Sequence, residues 1–157
     1  MRRSSRRSDK FTQGDSLVSV GTLISNRPPT GSRFSSITMV LNGPPRTKKN
    51  SSRVFGGIPL PSEAFIEWNA LVQPQLAIER SKAKCRLPIT TPVNARALFY
   101  RKTLVGDACN FYQALADALQ EGRIVEDDRL IVSWDGSRLL KDSENPRVIV
   151  TLEEVAN

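Results

Sequence analysis

The stretch from Gly106 to Gly122 constrains the fold more than any other part of the chain. Phe111, Ala114, Leu115, Ala118 and Leu119 recur at i, i+3, i+4, i+7 and i+8, the stripe of a helix that buries one face. Gly106-Asp107 supplies a start, with Asp107 at the capping position. Gly122 supplies a stop and suits the left-handed position just past a helix. Asn110, Gln113 and Asp117 line a second, polar face. A helix of this kind needs a sheet or another helix to cover its apolar side.

Acids frame this helix. Asp107 precedes it, and Glu126, Asp127 and Asp128 follow it. If the chain folds back after Gly122, Asp107 and the Asp127-Asp128 pair come to share one pocket. Clustered carboxylates without histidine suit a hard, oxygen-preferring cation such as Mg²⁺. Singly, each acid also has an ordinary role. Asp107 suits a helix cap, Asp127-Asp128 a turn before a strand, and Asp117 the surface.

The flanking segments predict the partners of this helix. Ile37-Thr38-Met39-Val40-Leu41-Asn42 reads as a strand closed by Gly43-Pro44-Pro45. Arg46, Lys48, Lys49 and Arg53 follow in a Ser/Asn-rich loop, which is either a solvated loop or a grip on a phosphate backbone. Pro61-Ser62 opens a helix with Ser62 as cap. Phe65, Trp68, Val72 and Leu76 give it a core face, and Pro74 should kink or split it. Arg80 to Lys84 is a basic exit. Pro92 to Arg101 reads as a strand that turns Val93, Ala95, Ala97 and Phe99 to one side. Leu130 to Trp134 makes a further strand, Asp135-Gly136 a turn, and Arg147 to Glu153 a final strand. The order β-α-β-α-β-β predicts an α+β domain, a small mixed sheet with two main helices packed on it.

Composition narrows the function. Residues 1–60 carry eleven Lys/Arg and two Asp, whereas residues 61–157 carry twelve Lys/Arg and fourteen Asp/Glu. The net charge of +7 therefore sits at the front, which suits either attraction of a polyanion or a solubilising tail. Residues 1–35, with Arg/Ser runs and Arg27-Pro28-Pro29, read as a disordered basic tail. Residues 36–157 read as the domain. Histidine is absent, which removes Ser-His-Asp catalysis and His-ligated zinc. The two cysteines, Cys85 and Cys109, build neither a zinc site by themselves nor a disulfide scaffold. No apolar run reaches the ~18 residues of a membrane span, so the expectation is a cytoplasmic protein with no membrane partner.

The stretch Gly106-Asp107-Ala108-Cys109-Asn110, then Asp117-Ala118-Leu119, Gly122 and Asp127-Asp128, resembles the RusA family of Holliday junction resolvases, which carries D-x-D-N, D-A-L and D-D at this spacing. Gly43-Pro44-Pro45 with its basic sequel and the strand Pro88 to Tyr100 extend the likeness over about residues 37–154. The resemblance implies a RusA-like fold and a Mg²⁺-dependent, structure-selective endonuclease. Such an enzyme is a homodimer that resolves four-way DNA junctions by paired nicks in recombination and repair. It further implies that Asp107, Asp128 and Asp127 are the catalytic, metal-binding carboxylates, and that Arg46, Lys48, Lys49 and Arg53 hold DNA. Two positions depart from the pattern: Cys109 stands where the family has a carboxylate, and Gln113 where it has a lysine. They point to the alternative of a weakened relative that binds branched DNA without cutting it.

Overall fold

Alternation in the strands and the 3.6-residue period in the helices set the layers of the molecule. The structure, a computed structural model, describes residues 36–48 and 54–155. Residues 1–35, and with them the expected basic tail, lie outside the described residues, as do Lys49 and Arg53. The described elements are β1 (Ser36–Asn42), β2 (Val54–Phe55), β3 (Ile58–Pro59), α1 (Glu63–Lys82), β4 (Val93–Arg101), α2 (Ala108–Glu121), β5 (Ile131–Ser133), β6 (Arg138–Lys141) and β7 (Arg147–Glu154). The class is α+β, as expected. A five-stranded mixed sheet has the order β1-β7-β4, with β5 and β6 both pairing along the free side of β4. β7 runs antiparallel to β1 and β4, whereas β5 and β6 run parallel to β4.

One face of the sheet is buried. Met39 and Leu41 of β1, Val93, Ala95, Ala97 and Phe99 of β4, and Val148, Val150 and Leu152 of β7 are almost fully excluded from solvent. Because successive side chains alternate across a strand, their neighbours face the other side. Val40 there is 43% exposed whereas Thr151 is buried, and among the described residues both helices pack on the core face alone. The core face is covered by Phe65, Trp68, Val72 and Leu76 of α1 and by Phe111, Ala114, Leu115, Ala118 and Leu119 of α2. These are the two apolar stripes read from the sequence.

Ser62 caps α1 as expected. Its Oγ accepts from the Phe65 N–H at 3.2 Å and donates to the Thr47 carbonyl at 3.0 Å, which ties the loop after β1 to the helix start. Pro74 does not split α1, which runs unbroken over 20 residues. The packing of residues on both sides of Pro74, Val72 and Leu76, against the core outweighs the hydrogen bond that proline removes. No helix among the described residues is long and apolar enough to cross a membrane.

The end of α2 differs from the expectation. Gly122 is right-handed, with φ −71° and ψ 0°, and the left-handed residue is Arg123, with φ 58°. The Arg123 N–H donates to the Gln120 carbonyl at 3.0 Å and the Ile124 N–H to the Leu119 carbonyl at 2.9 Å, the bonding of a Schellman close with Arg123 outside the helix. Gly122 is there for close packing. A Cβ on it would stand 2.8 Å from Leu76 Cδ1 and 3.0 Å from Leu76 Cβ.

Two elements lie beyond the sequence reading. Gly56 and Gly57, both at positive φ, turn a short β2–β3 hairpin within the segment read as loop. β6 occupies Arg138–Lys141 and pairs in parallel with the second half of β4.

A basic cleft at the start of α2

β4, α2 and β5 form a parallel crossover, and that topology decides where the acids go. The chain runs along β4 to Arg101, crosses through residues 102–107, and returns along α2. It then starts β5 beside the beginning of β4, where Ile131 pairs with Val93. The link after α2 is held there by core burial of Ile124 and Val125. It is also held by backbone bonds from Ile89 to Ile124 at 2.8 Å and from Glu126 to Ile89 at 3.0 Å. In a parallel strand-helix-strand unit the loops before and after the helix lie at opposite ends of the sheet.

Asp107 stands at the start of α2. Asp128 stands at the other end, where its backbone N–H donates to Gln120 Oε1 at 3.3 Å. The 14 residues of α2 span roughly 20 Å at 1.5 Å per residue. The pocket shared by Asp107 and the Asp127-Asp128 pair, expected from the sequence, is therefore not formed within one chain. Among the described residues no group of three or more Cys, Asp or Glu side chains lies close enough to hold a metal ion. A single chain thus does not offer Mg²⁺ the three-carboxylate donor set that Asp107, Asp127 and Asp128 were expected to form.

The two ends differ in their electrostatics. Asp127 starts the 3₁₀ turn Asp128–Leu130 and accepts the Arg129 backbone N–H at 2.9 Å. Its two carboxylate oxygens also take the Arg129 guanidinium in a forked bond, at 2.9 and 2.7 Å. These bonds hold its carboxyl well below the usual carboxylate range. The Arg129 bonds occupy part of the acceptor capacity of this carboxylate and offset its charge.

At the start of α2, Asp107 takes the capping position without using its side chain, which makes no cap hydrogen bond. It is exposed and borders a cleft of about 280 Å³, whose wall also includes Pro45, Arg46, Arg101, Asn110 and Phe111. Arg101 is fixed in this wall. Its Nη1 donates to the Val105 carbonyl at 2.8 Å, and its guanidinium lies 3.9 Å from the centre of the Phe111 ring. Burial, and then the positive charge of Arg46, lower the Arg101 pKa; the second cause places the two guanidinium charges within electrostatic reach.

The remaining cations of the expected DNA-binding set divide. Arg46 is exposed in the cleft. Lys48 forms an ion pair with Asp117 on the polar face of α2 and sits 5.4 Å from the Phe65 ring centre, so it joins the loop after β1 to both helices. Lys49 and Arg53 lie outside the described residues. Arg101 was missed because it follows Val93, Ala95, Ala97 and Phe99 on the core-facing side of β4, where a charge at the last position reads only as the end of the strand. Nothing in the sequence shows that the crossing loop turns its guanidinium onto Phe111.

Cys109 and Gln113 are exposed on α2. With Ala116 and Gln120 they form a stripe free of formal charge, at i, i+4, i+7 and i+11. Tyr112, at its border, stacks on Trp134 with ring centres 4.8 Å apart. No protein-family model and no curated protein sequence matches the chain.

Proposed function

We propose that this protein is a structure-selective DNA endonuclease that resolves four-way junctions by paired nicks, with Mg²⁺ as its cofactor, and that it acts as a homodimer. The observation that carries this reading is the cleft at the start of α2, where the uncapped carboxylate of Asp107 stands beside Arg46 and Arg101. An acid free of its usual capping bond, set among cations, suits work on a phosphodiester. The resemblance of the Asp107, Asp117 and Asp127-Asp128 pattern to the RusA family supports the same reading.

The topology makes a second copy necessary to it. Asp107 and Asp128 lie at opposite ends of α2, so two α2 helices pairing antiparallel about a two-fold axis bring Asp107 of one subunit toward Asp128 of the partner subunit. The uncharged stripe Cys109, Gln113, Ala116 and Gln120 is the flank on which such pairing costs least desolvation of charge. Two equivalent sites result, one for each cut.

The test is a nicking assay on a labelled four-way junction with Mg²⁺. The parent is expected to nick, and Asp107→Asn and Asp128→Asn each to abolish nicking. Mixing the two variants leaves one site of each mixed dimer with both carboxylates intact, so nicking returns as single cuts. Absence of nicking by the parent refutes the enzyme. Nicking by the parent without rescue on mixing refutes the shared site.

The alternative is a branched-DNA-binding relative without nuclease activity. It is favoured by Cys109, whose soft thiol is a poor ligand for Mg²⁺, by Gln113, and by the engagement of Asp127 with Arg129. It predicts a metal-independent gel shift of the junction with no product, and a gain of cleavage in Cys109→Asp.

A further inference from the structure

We propose that Arg101 and Arg46 form a two-guanidinium clamp for one backbone phosphate of a nucleic acid, with Arg101 as its fixed jaw. The inference rests on the reading of the chain as a nucleic-acid-binding protein but does not depend on cleavage.

Three observations carry it. First, both arginines line one cleft at the start of α2. Among the described residues no carboxylate lies within ion-pair distance of either guanidinium, although the other arginines near acids are paired, Arg129 with Asp127 and Arg147 with Asp142. Second, Arg101 is immobilised before any ligand arrives. The Val105 carbonyl takes one of its N–H donors and the Phe111 ring covers one face of its plane. The guanidinium keeps other N–H groups for a ligand, in the fork that matches a phosphate. Pre-ordering of a long side chain removes much of the entropy cost of binding. Third, the two like charges oppose each other in a partly desolvated site. That repulsion is relieved by an anion held between them.

The same cleft holds Asn110, whose amide adds a neutral donor. It also holds the carboxylate of Asp107, which repels a bare anion; one Asp against two Arg leaves the cleft with a positive surplus. A phosphodiester, with one negative charge, balances that surplus. Contacts of this kind place a duplex without reading its sequence.

The experiment measures binding of the full chain to fluorescein-labelled four-way junction and linear duplex DNA by anisotropy, in EDTA so that no cleavage intervenes, over 50–200 mM salt. Loss of one phosphate contact lowers the slope of log K against log salt by about 0.9. Arg101→Gln is expected to show that change, with an affinity loss of about ten-fold on both DNAs. Arg46→Gln, at an exposed position that packs against nothing in the core, is expected to show the same change. Arg101→Lys keeps the charge but loses the fork, and is expected to retain the slope while binding more weakly. Circular dichroism verifies that Arg101→Gln is folded. Unchanged slopes in Arg101→Gln or in Arg46→Gln overturn the clamp, and so does a parent that binds neither DNA. A parent that binds with the expected slopes yet never nicks in Mg²⁺ keeps the clamp and removes the endonuclease.

Discussion

Two adjacent substitutions at the end of α2 separate packing from backbone conformation. From the sequence, Gly122 is the left-handed residue past the helix, so alanine there should be strained and residue 123 should be indifferent. In the structure Gly122 is right-handed and Arg123 carries φ 58°. A left-handed conformation costs a non-glycine residue about 1–2 kcal/mol. The extra freedom that glycine loses on folding costs roughly 0.5–1 kcal/mol. Arg123→Gly should therefore stabilise by about 0.5 kcal/mol.

Gly122→Ala meets a different barrier. Its Cβ would lie 2.8 Å from Leu76 Cδ1, 3.0 Å from Leu76 Cβ and 3.2 Å from the Ala118 carbonyl oxygen. Leu76 is fully buried and its Cβ is fixed to the α1 backbone, so the side chain has little room to yield. Overpacking of this kind costs about 1–3 kcal/mol, against about 0.4–1 kcal/mol recovered from the unfolded chain. The net expectation is a loss of about 1–2 kcal/mol. In urea, with a slope of about 2 kcal/mol per M, the midpoint should fall by roughly 0.5–1 M for Gly122→Ala and rise by roughly 0.25 M for Arg123→Gly. The double variant Gly122→Ala with Leu76→Ala should be less destabilised than the sum of its parts, because the added methyl occupies part of the cavity that the leucine vacates. A higher midpoint in Gly122→Ala, or a lower one in Arg123→Gly, would refute the reasoning.

Two further outcomes test the local chemistry. Ser62→Ala removes both the cap on Phe65 and the bond to Thr47 and should cost about 1 kcal/mol in thermal or urea unfolding; a change near zero would show that the loop after β1 is held by other contacts. Asp127 and Asp142 have folded pKa values below the ordinary range, through hydrogen bonds first to Arg129 and first to Arg147. A depressed carboxylate contributes stability above its unfolded pKa of about 3.9 and loses that contribution as pH falls through the folded value. Carboxyl carbon NMR shifts should therefore titrate below the ordinary aspartate value for both residues, and a midpoint at or above that ordinary value for Asp127 would contradict the forked bond to Arg129.

The site was less legible than the fold, for reasons visible in particular residues. The stripes of α1 and α2, the alternation of β4 and the cap at Ser62 follow from spacing and side-chain chemistry within a few residues, and the structure has each of them. The Gly56-Gly57 turn also carried a local signal, two glycines between β-formers, which went unread. β6 did not: Arg138-Leu139-Leu140-Lys141 is short and does not alternate, and its place comes from parallel pairing with β4 forty residues earlier. Likewise, the left-handed position fell on Arg123 and not on Gly122, because a neighbouring helix claimed the space over Gly122.

Sequence alone determined which faces become core and that two helices would cover a mixed sheet, since periodicity and capping are local properties of the chain. Tertiary structure alone decided the direction of the return after α2. By running β5 parallel to β4, it sent Asp127 and Asp128 to the far end of the helix from Asp107. It also drew Arg46 from the loop after β1 and Arg101 from the end of β4 into one cleft. Proximity between residues 46 and 101 arises from strand pairing and helix packing across the whole domain, which no short window of sequence records.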